Sequence, residues 1–296
     1  MTLFLIFLAL LFLVSLFSVF IRTLLLNPFK TIFYSIKDLY LYFKEHRYDK
    51  METGKLICYT ALFGGGKTLS CVHYVKSLYD RYNDREVFDI DRGMFVTQKV
   101  HIISNVDLVG IPYEKFTSLA QVVRVADKFK AIDSMNGTLT CTVVLGDEFS
   151  VQMNSRNFKS NIDPLFLNTL LTCRHHHIML IYNAQRFSHV DALLRQVTTY
   201  VVECRKFWRV VIQTTYDAYT LENTSDPLAV KSLGSHGWFV RDKDFDLYDT
   251  LACVGNLQRS CENGDMLTPI EIINNQGSVN YDVGSFERMK RVFKRR

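Results

Sequence analysis

No two of the seven cysteines stand at C-x-x-C spacing, and their number is odd. Cys58, Cys71, Cys141, Cys173, Cys204, Cys253 and Cys261 are scattered, which argues against both a zinc site and a disulfide framework. They read as reduced thiols in a cytosolic compartment. The chain has no low-complexity segment and no internal repeat, and no Ser-His-Asp order or cysteine nucleophile stands out. A large excess of either charge is missing as well, with 35 Lys and Arg against 30 Asp and Glu. A formal net charge of +5 over 296 residues does not by itself demand a nucleic-acid partner, and it suits nucleic acid or a membrane surface equally. The length suits one domain of ordinary size with appendages.

Charge is missing altogether from Thr2 to Ile21, "TLFLIFLALLFLVSLFSVFI". Roughly 20 apolar residues span a bilayer core as a helix, so residues 1–26 are expected to form a transmembrane anchor. A removed signal peptide is the rival reading. It lacks a basic residue ahead of the apolar run and a small-residue cleavage site behind it. Arg22, Lys30, Lys37, Lys44, Arg47 and Lys50 follow the run, which puts everything after it in the cytoplasm. The expectation is a single-pass membrane protein with its remaining domain in the cytoplasm. Residues 27–52 open on Asn27-Pro28 and suit an amphipathic helix on the membrane surface.

The stretch "KLICYTALFGGGKTLS" holds the parts of a phosphate-binding loop: an apolar strand, a glycine turn and a helix start. Leu69, Val72, Val75 and Leu78 are spaced for one buried helix face. Glycine lets the backbone approach phosphate oxygens in conformations that a side chain blocks. The candidate nucleotide-binding positions are Ala61, Phe63, Gly64, Gly65, Gly66, Lys67, Thr68 and Leu69. Lys67 would reach the β and γ phosphates, and the Thr68 hydroxyl would hold Mg²⁺. Ala61 stands where the G-x-x-x-x-G-K-[ST] pattern has its first glycine.

Further along, "CTVVLGDEFS" is a β-run ending in Asp147 and Glu148. Functional groups emerge at the carboxyl ends of buried parallel strands. Asp147 is expected to serve Mg²⁺, and Glu148 to orient or deprotonate the attacking water. A third run, "HIMLIYNAQ", ends in Asn183 and Gln185, with Gln185 expected to sense the γ-phosphate. The fold class is therefore α/β, a P-loop NTPase with a mainly parallel sheet flanked by helices, over residues 53–232. The adjacent histidines His175, His176 and His177 point to alternate faces of a strand entry, which disfavours a metal there. Residues 233–296 read as a β-rich extension. Its basic tail, "FERMKRVFKRR", suits DNA phosphates, anionic lipid or plain solvation.

The strings "VVLGDEFS", "SRNFKS" and "CRHHHIMLIYNAQRFSHVDALLRQVTTYVVECRK" together resemble the zonula occludens toxin-like (Zot) ATPases of filamentous bacteriophages. The matching places hold Asp147-Glu148, Arg156, Arg174-His175, Ala184-Gln185 and Arg195, within about residues 55 to 205. The resemblance implies a P-loop ATPase of the FtsK/HerA-like group that uses ATP and Mg²⁺ in the host inner membrane. It also implies a homo-oligomeric ring, a DNA cargo that is single-stranded in the phage setting, and virion or secretion-channel partners. An arginine from the neighbouring subunit would complete each site. Arg174, Arg186 and Arg195 are candidates, with Arg174 favoured by the family pattern. Three features depart from that pattern: Ala184 replaces a threonine, Ala61 replaces the first loop glycine, and the membrane helix precedes the ATPase domain. A conjugative or genome-packaging translocase and a non-hydrolysing membrane scaffold are the rival functions.

Overall fold

The computed structural model describes residues 18–117, 119–147, 172–224, 226 and 229–248. Residues 1–17 of the expected anchor, Glu148, Arg156 and the basic tail lie outside the described residues. Among the described residues no helix is long and apolar enough to cross a membrane.

The chain enters through two helices. Helix α1 (Val19–Leu26) starts at Ser18, whose hydroxyl accepts from the Ile21 amide. Helix α2 (Pro28–Lys44) restarts at Asn27-Pro28, because proline fits the first helical turn and forbids helical backbone in the residue before it. None of the 17 residues of α2 is buried, and Phe29, Phe33 and Tyr40 are among the side chains it leaves exposed.

A nine-stranded sheet follows. Its strands are β1 (Leu56–Thr60), β2 (Arg85–Asp89), β3 (Met94–Ser104), β4 (Glu114–Lys115), β5 (Thr138–Gly146), β6 (Ile178–Ala184), β7 (Tyr200–Phe207), β8 (Val210–Asp217) and β9 (Gly234–Phe239). The order is β2-β3-β5-β6-β1-β7-β8-β9, with the short β4 beside β3. The five strands from β3 to β7 in that order are mutually parallel, and β2, β8 and β9 pair antiparallel at the two edges. β9 thus joins the described part of the 233–296 extension to the same sheet.

Central strands are buried on both faces because helices cover both. On one face, α3 (Lys67–Tyr82) sets Cys71, Val72, Val75 and Leu78 against Ile57, Tyr59, Val143 and Ile181. On the other, α4 (Leu119–Asn136) sets Val122, Val123 and Ala126 against Cys58, Val144, Leu180 and Tyr182, beside Leu194 of the short α5 (Ala192–Val197). Alternate residues of β1 therefore feed different cores, as the period of two requires.

The segment after α2 docks at the amino-terminal end of the sheet. The Phe88 amide donates to the Glu45 carbonyl at 3.2 Å, and the His46 and Phe95 rings meet at 5.5 Å. Gln98 is 0% exposed and fastens this segment. Its carboxamide accepts from the Met51 amide at 2.9 Å and donates to the Tyr82 carbonyl at 2.9 Å. The carboxyl-terminal end of the parallel strands is left for the glycine loop.

Candidate active site

The loop between β1 and α3 turns at Leu62, whose carbonyl accepts from the Gly65 amide at 3.0 Å. Gly64 and Gly66 have φ of +73° and +80°, left-handed backbone that glycine adopts without strain. Gly66 is the cap residue of α3, and no side chain caps that helix. The amides of its first turn, from Lys67 through Leu69, have no intrahelical acceptor and suit an anion. A Cβ on Gly65 would come within 2.7 Å of the Ala61 Cβ and 3.0 Å of the Leu62 carbonyl. Ala61 replaces the expected glycine because its φ is ordinary and its methyl is buried in the core.

Lys67 folds back over the loop. Its Nζ donates to the Ala61 carbonyl at 3.2 Å and lies 5.8 Å from the centre of the Phe63 ring. Thr68 Oγ1 donates to Asp147 Oδ1 at 2.9 Å, across 79 residues of sequence. The structure therefore brings Thr68 and Asp147 together beside Lys67. Gln185 stands one residue past the end of β6 and is half-buried. Glu148, the expected base, lies outside the described residues.

Two asparagines complete the cluster. β6 lies between β1 and β5, so its carboxyl tip separates the glycine loop from Asp147. Asn183, 1% exposed at that tip, donates from Nδ2 to Asp147 Oδ1 and approaches Thr68 Oγ1 at 3.5 Å. Asn105 follows β3 and clamps the Asp147 backbone twice. It accepts from the Asp147 amide at 2.7 Å and donates to the Asp147 carbonyl at 2.8 Å. Neither Asn183 nor Asn105 has a role assigned to it from the sequence alone. The available signal is positional: each is a polar residue at the carboxyl tip of an apolar β-run.

The donor set fits Mg²⁺. A hydroxyl and a carboxylate, held together, offer hard oxygens to an ion that keeps much of its water and takes few protein ligands. Loop geometry fits a polyphosphate by the same reasoning: open amides, a lysine and two left-handed glycines.

The candidate arginines are spread out. Arg174 lies at the amino-terminal end of β6, where a Cβ on Gly54 would meet its Cβ at 2.6 Å. It is not beside the glycine loop. Arg195 binds Glu222 at 3.2 Å and the Val190 carbonyl at 2.7 Å. Arg186 is exposed just past β6, on the loop side. Among the three histidines, His177 takes a left-handed φ of 51°, and His176 lies 3.7 Å from Asp127.

Burial pushes the thiols of Cys58, Cys71, Cys141, Cys173 and Cys204 up, Cys204 to about 11 and Cys141 to about 12. They stay protonated and take no part in nucleophilic chemistry at neutral pH.

No family model and no curated protein matches the sequence. Among solved structures, the chain is similar to the N-terminal domain of zonular occludens toxin from Neisseria meningitidis. The two are 16% identical with a TM-score of 0.40, over 67% of this chain and 100% of that one. It is also similar to B204, the DNA-packaging ATPase of Sulfolobus turreted icosahedral virus, at 12% identity and a TM-score of 0.39, over 57% and 95%. A third likeness is to ATPases 2 and 3 of EccC from Thermomonospora curvata, at 9% and 0.38, over 62% and 37%. Likenesses at this level assign no activity.

Proposed function

We propose that the chain is a membrane-anchored, Mg²⁺-dependent ATPase that powers filamentous-phage-type virion assembly and the export of single-stranded DNA across a bacterial inner membrane. The observation that carries the ATP reading is the meeting of Thr68, Asp147 and Asn183 beside the uncapped start of α3 and Lys67. That meeting depends on three separate strands ending at one place, which a chance glycine turn would not bring about. The DNA and membrane parts rest on the sequence: the Zot-like order of motifs and the uncharged run from Thr2 to Ile21.

In this reading Lys67 and the amides of Gly64 to Leu69 hold the phosphates. Thr68 and Asp147 hold Mg²⁺, which would neutralise charge on the β and γ oxygens. Asn183 fixes the Asp147 carboxylate, and Asn105 fixes its backbone. Glu148 takes the proton of the attacking water, and Gln185 senses the γ-phosphate from the tip of β6. In a homo-oligomeric ring an arginine enters from the next subunit. Arg174, at the far end of β6 from its own loop, can serve only in that way.

The test is Glu148→Gln. The variant is expected to keep ATP binding and lose phosphate release. Unchanged turnover would remove Glu148 from the mechanism, and absent turnover in the parent chain under all conditions would favour a scaffold.

A further inference from the structure

The hairpin between β7 and β8 is the least explained part of the surface. β7 runs parallel to β1 with Thr60 opposite Glu203, so Cys204 to Phe207 continue past the end of β1 and alongside the glycine loop. Phe207 pairs with Val210, leaving a two-residue turn of Trp208 and Arg209. Trp208 has a φ of 53°. The first position of such a turn favours glycine when φ is positive, and an indole there is strained. The two rings at this tip also add little to any core, since Phe207 is 82% and Trp208 73% exposed. Strain and exposure together mark a site kept for contact with something else.

We propose that this hairpin grips single-stranded nucleic acid, with Trp208 and Phe207 as stacking platforms for bases and Arg205, Lys206 and Arg209 as phosphate contacts. The assignment deepens the DNA-handling reading and rests on it. The run Arg205-Lys206-Phe207-Trp208-Arg209 sets two adjacent aromatic rings between cations, the chemistry that binds unpaired bases in any sequence. A duplex hides its base faces, so rings at an exposed tip fit a single strand. Phe239 meets Trp208 edge-on at 5.9 Å and 82°, which fixes the indole. Arg205 pairs with Glu203 and Arg209 with Asp242, both on the surface, and exposed pairs of this kind exchange readily for a phosphate. Lys206 has no carboxylate partner among the described residues and lies 4.7 Å from the Phe245 ring centre.

A lipid surface would also accept rings and cations. The placement argues against it: the chain enters the domain at the amino-terminal end of the sheet, beside β2 and β3, whereas the hairpin lies at the carboxyl end and the opposite edge. The base of the hairpin also packs on the glycine loop. A Cβ on Gly66 would lie 3.5 Å from the Lys206 Cβ and Cδ and 3.8 Å from Val211 Cγ2. Nucleotide in the loop and a strand on the hairpin would therefore press on the same side chain.

The experiment measures anisotropy of fluorescein-labelled oligo(dT) with the full-length chain in detergent, beside binding of a fluorescent ATP analogue and of phosphatidylglycerol vesicles. Trp208→Ala is expected to weaken oligo(dT) binding by about tenfold, Phe207→Ala/Trp208→Ala by more, and Trp208→Tyr only slightly. ATP-analogue binding should not change. Trp208→Gly guards against misfolding: it relieves the backbone, so its melting temperature should hold or rise while oligo(dT) binding falls. Parental binding that survives Trp208→Ala would overturn the hairpin assignment and leave the DNA reading standing. No oligo(dT) binding by the parent would overturn both. Vesicle binding that alone is lost in Trp208→Ala would assign the hairpin to lipid instead.

Discussion

Replacing Asn105 with alanine tests how the Asp147 carboxylate, the proposed metal ligand, is held, because Asn105 makes no hydrogen bond to the glycine loop or Thr68 among the described residues. Its carboxamide makes two hydrogen bonds to the Asp147 backbone, at 2.7 and 2.8 Å. Each is worth about 0.5–1.5 kcal/mol net, so Asn105→Ala should destabilise the domain by about 2 kcal/mol. For a domain of this size that lowers the melting temperature by about 4–8 °C. The functional loss should be larger in one respect. With its backbone released, Asp147 no longer presents Oδ1 to Thr68 in one fixed geometry, and loss of such a supporting contact typically costs about 10–100-fold in metal affinity or activity. The assay is a Mg²⁺ titration of ATP turnover, with thermal melting on the same samples. Asn105→Asp separates the two bonds, since a carboxylate still accepts from the Asp147 amide and no longer donates to its carbonyl. A lowered melting temperature with an unchanged Mg²⁺ requirement would refute the positioning role and leave Asn105 as a purely structural residue.

Other consequences follow from the loop and from three half-buried histidines. Gly65→Ala should lower ATP affinity and stability, because the new methyl would stand 2.7 Å from the Ala61 Cβ. Adding Ala61→Gly should recover part of the loss, and a strictly additive double-mutant cycle by denaturant titration would contradict the packing. His73, His101 and His177 all have their pKa lowered from 6.5, in each case mainly by burial. The unfolded chain therefore binds more protons than the folded one as pH falls through 6.5, so stability is full above that value and drops towards the lower folded pKa values. Denaturation midpoints should fall from about pH 7.5 to about pH 5.5, and a flat profile there would contradict the burial of these rings.

Much of this arrangement is legible in the sequence where one residue type answers one physical demand. Three glycines before Lys67 announce the turn, and Leu69, Val72, Val75 and Leu78 announce the helix face that the structure buries. The apolar runs ending at Gly146 and Ala184 announce strands buried on both faces. β3 is harder to see, because buried Gln98 stands where the alternation calls for an apolar residue. Its partners, Met51 and Tyr82, are far away in the chain, and only the fold supplies them. Asn105 can be placed at a strand tip from the sequence, but what it does there is hidden for the same reason. Its role depends on β3 and β5 ending side by side, with Ser104 opposite Leu145, and no local pattern encodes that register. The packing of the β7–β8 hairpin on Gly66 likewise depends on β7 overrunning β1. Ala61 looks like a defect against the loop pattern and turns out to be a packed core residue.

The most direct test of the central claim is phosphate release from ATP by the full-length chain with Mg²⁺, measured beside Lys67→Ala. The parent is expected to turn over ATP, and the variant to lose that turnover together with affinity for the nucleotide, since Lys67 is the loop's one side-chain cation. Equal turnover in parent and variant would contradict the account, and so would a parent chain that binds no nucleotide at all.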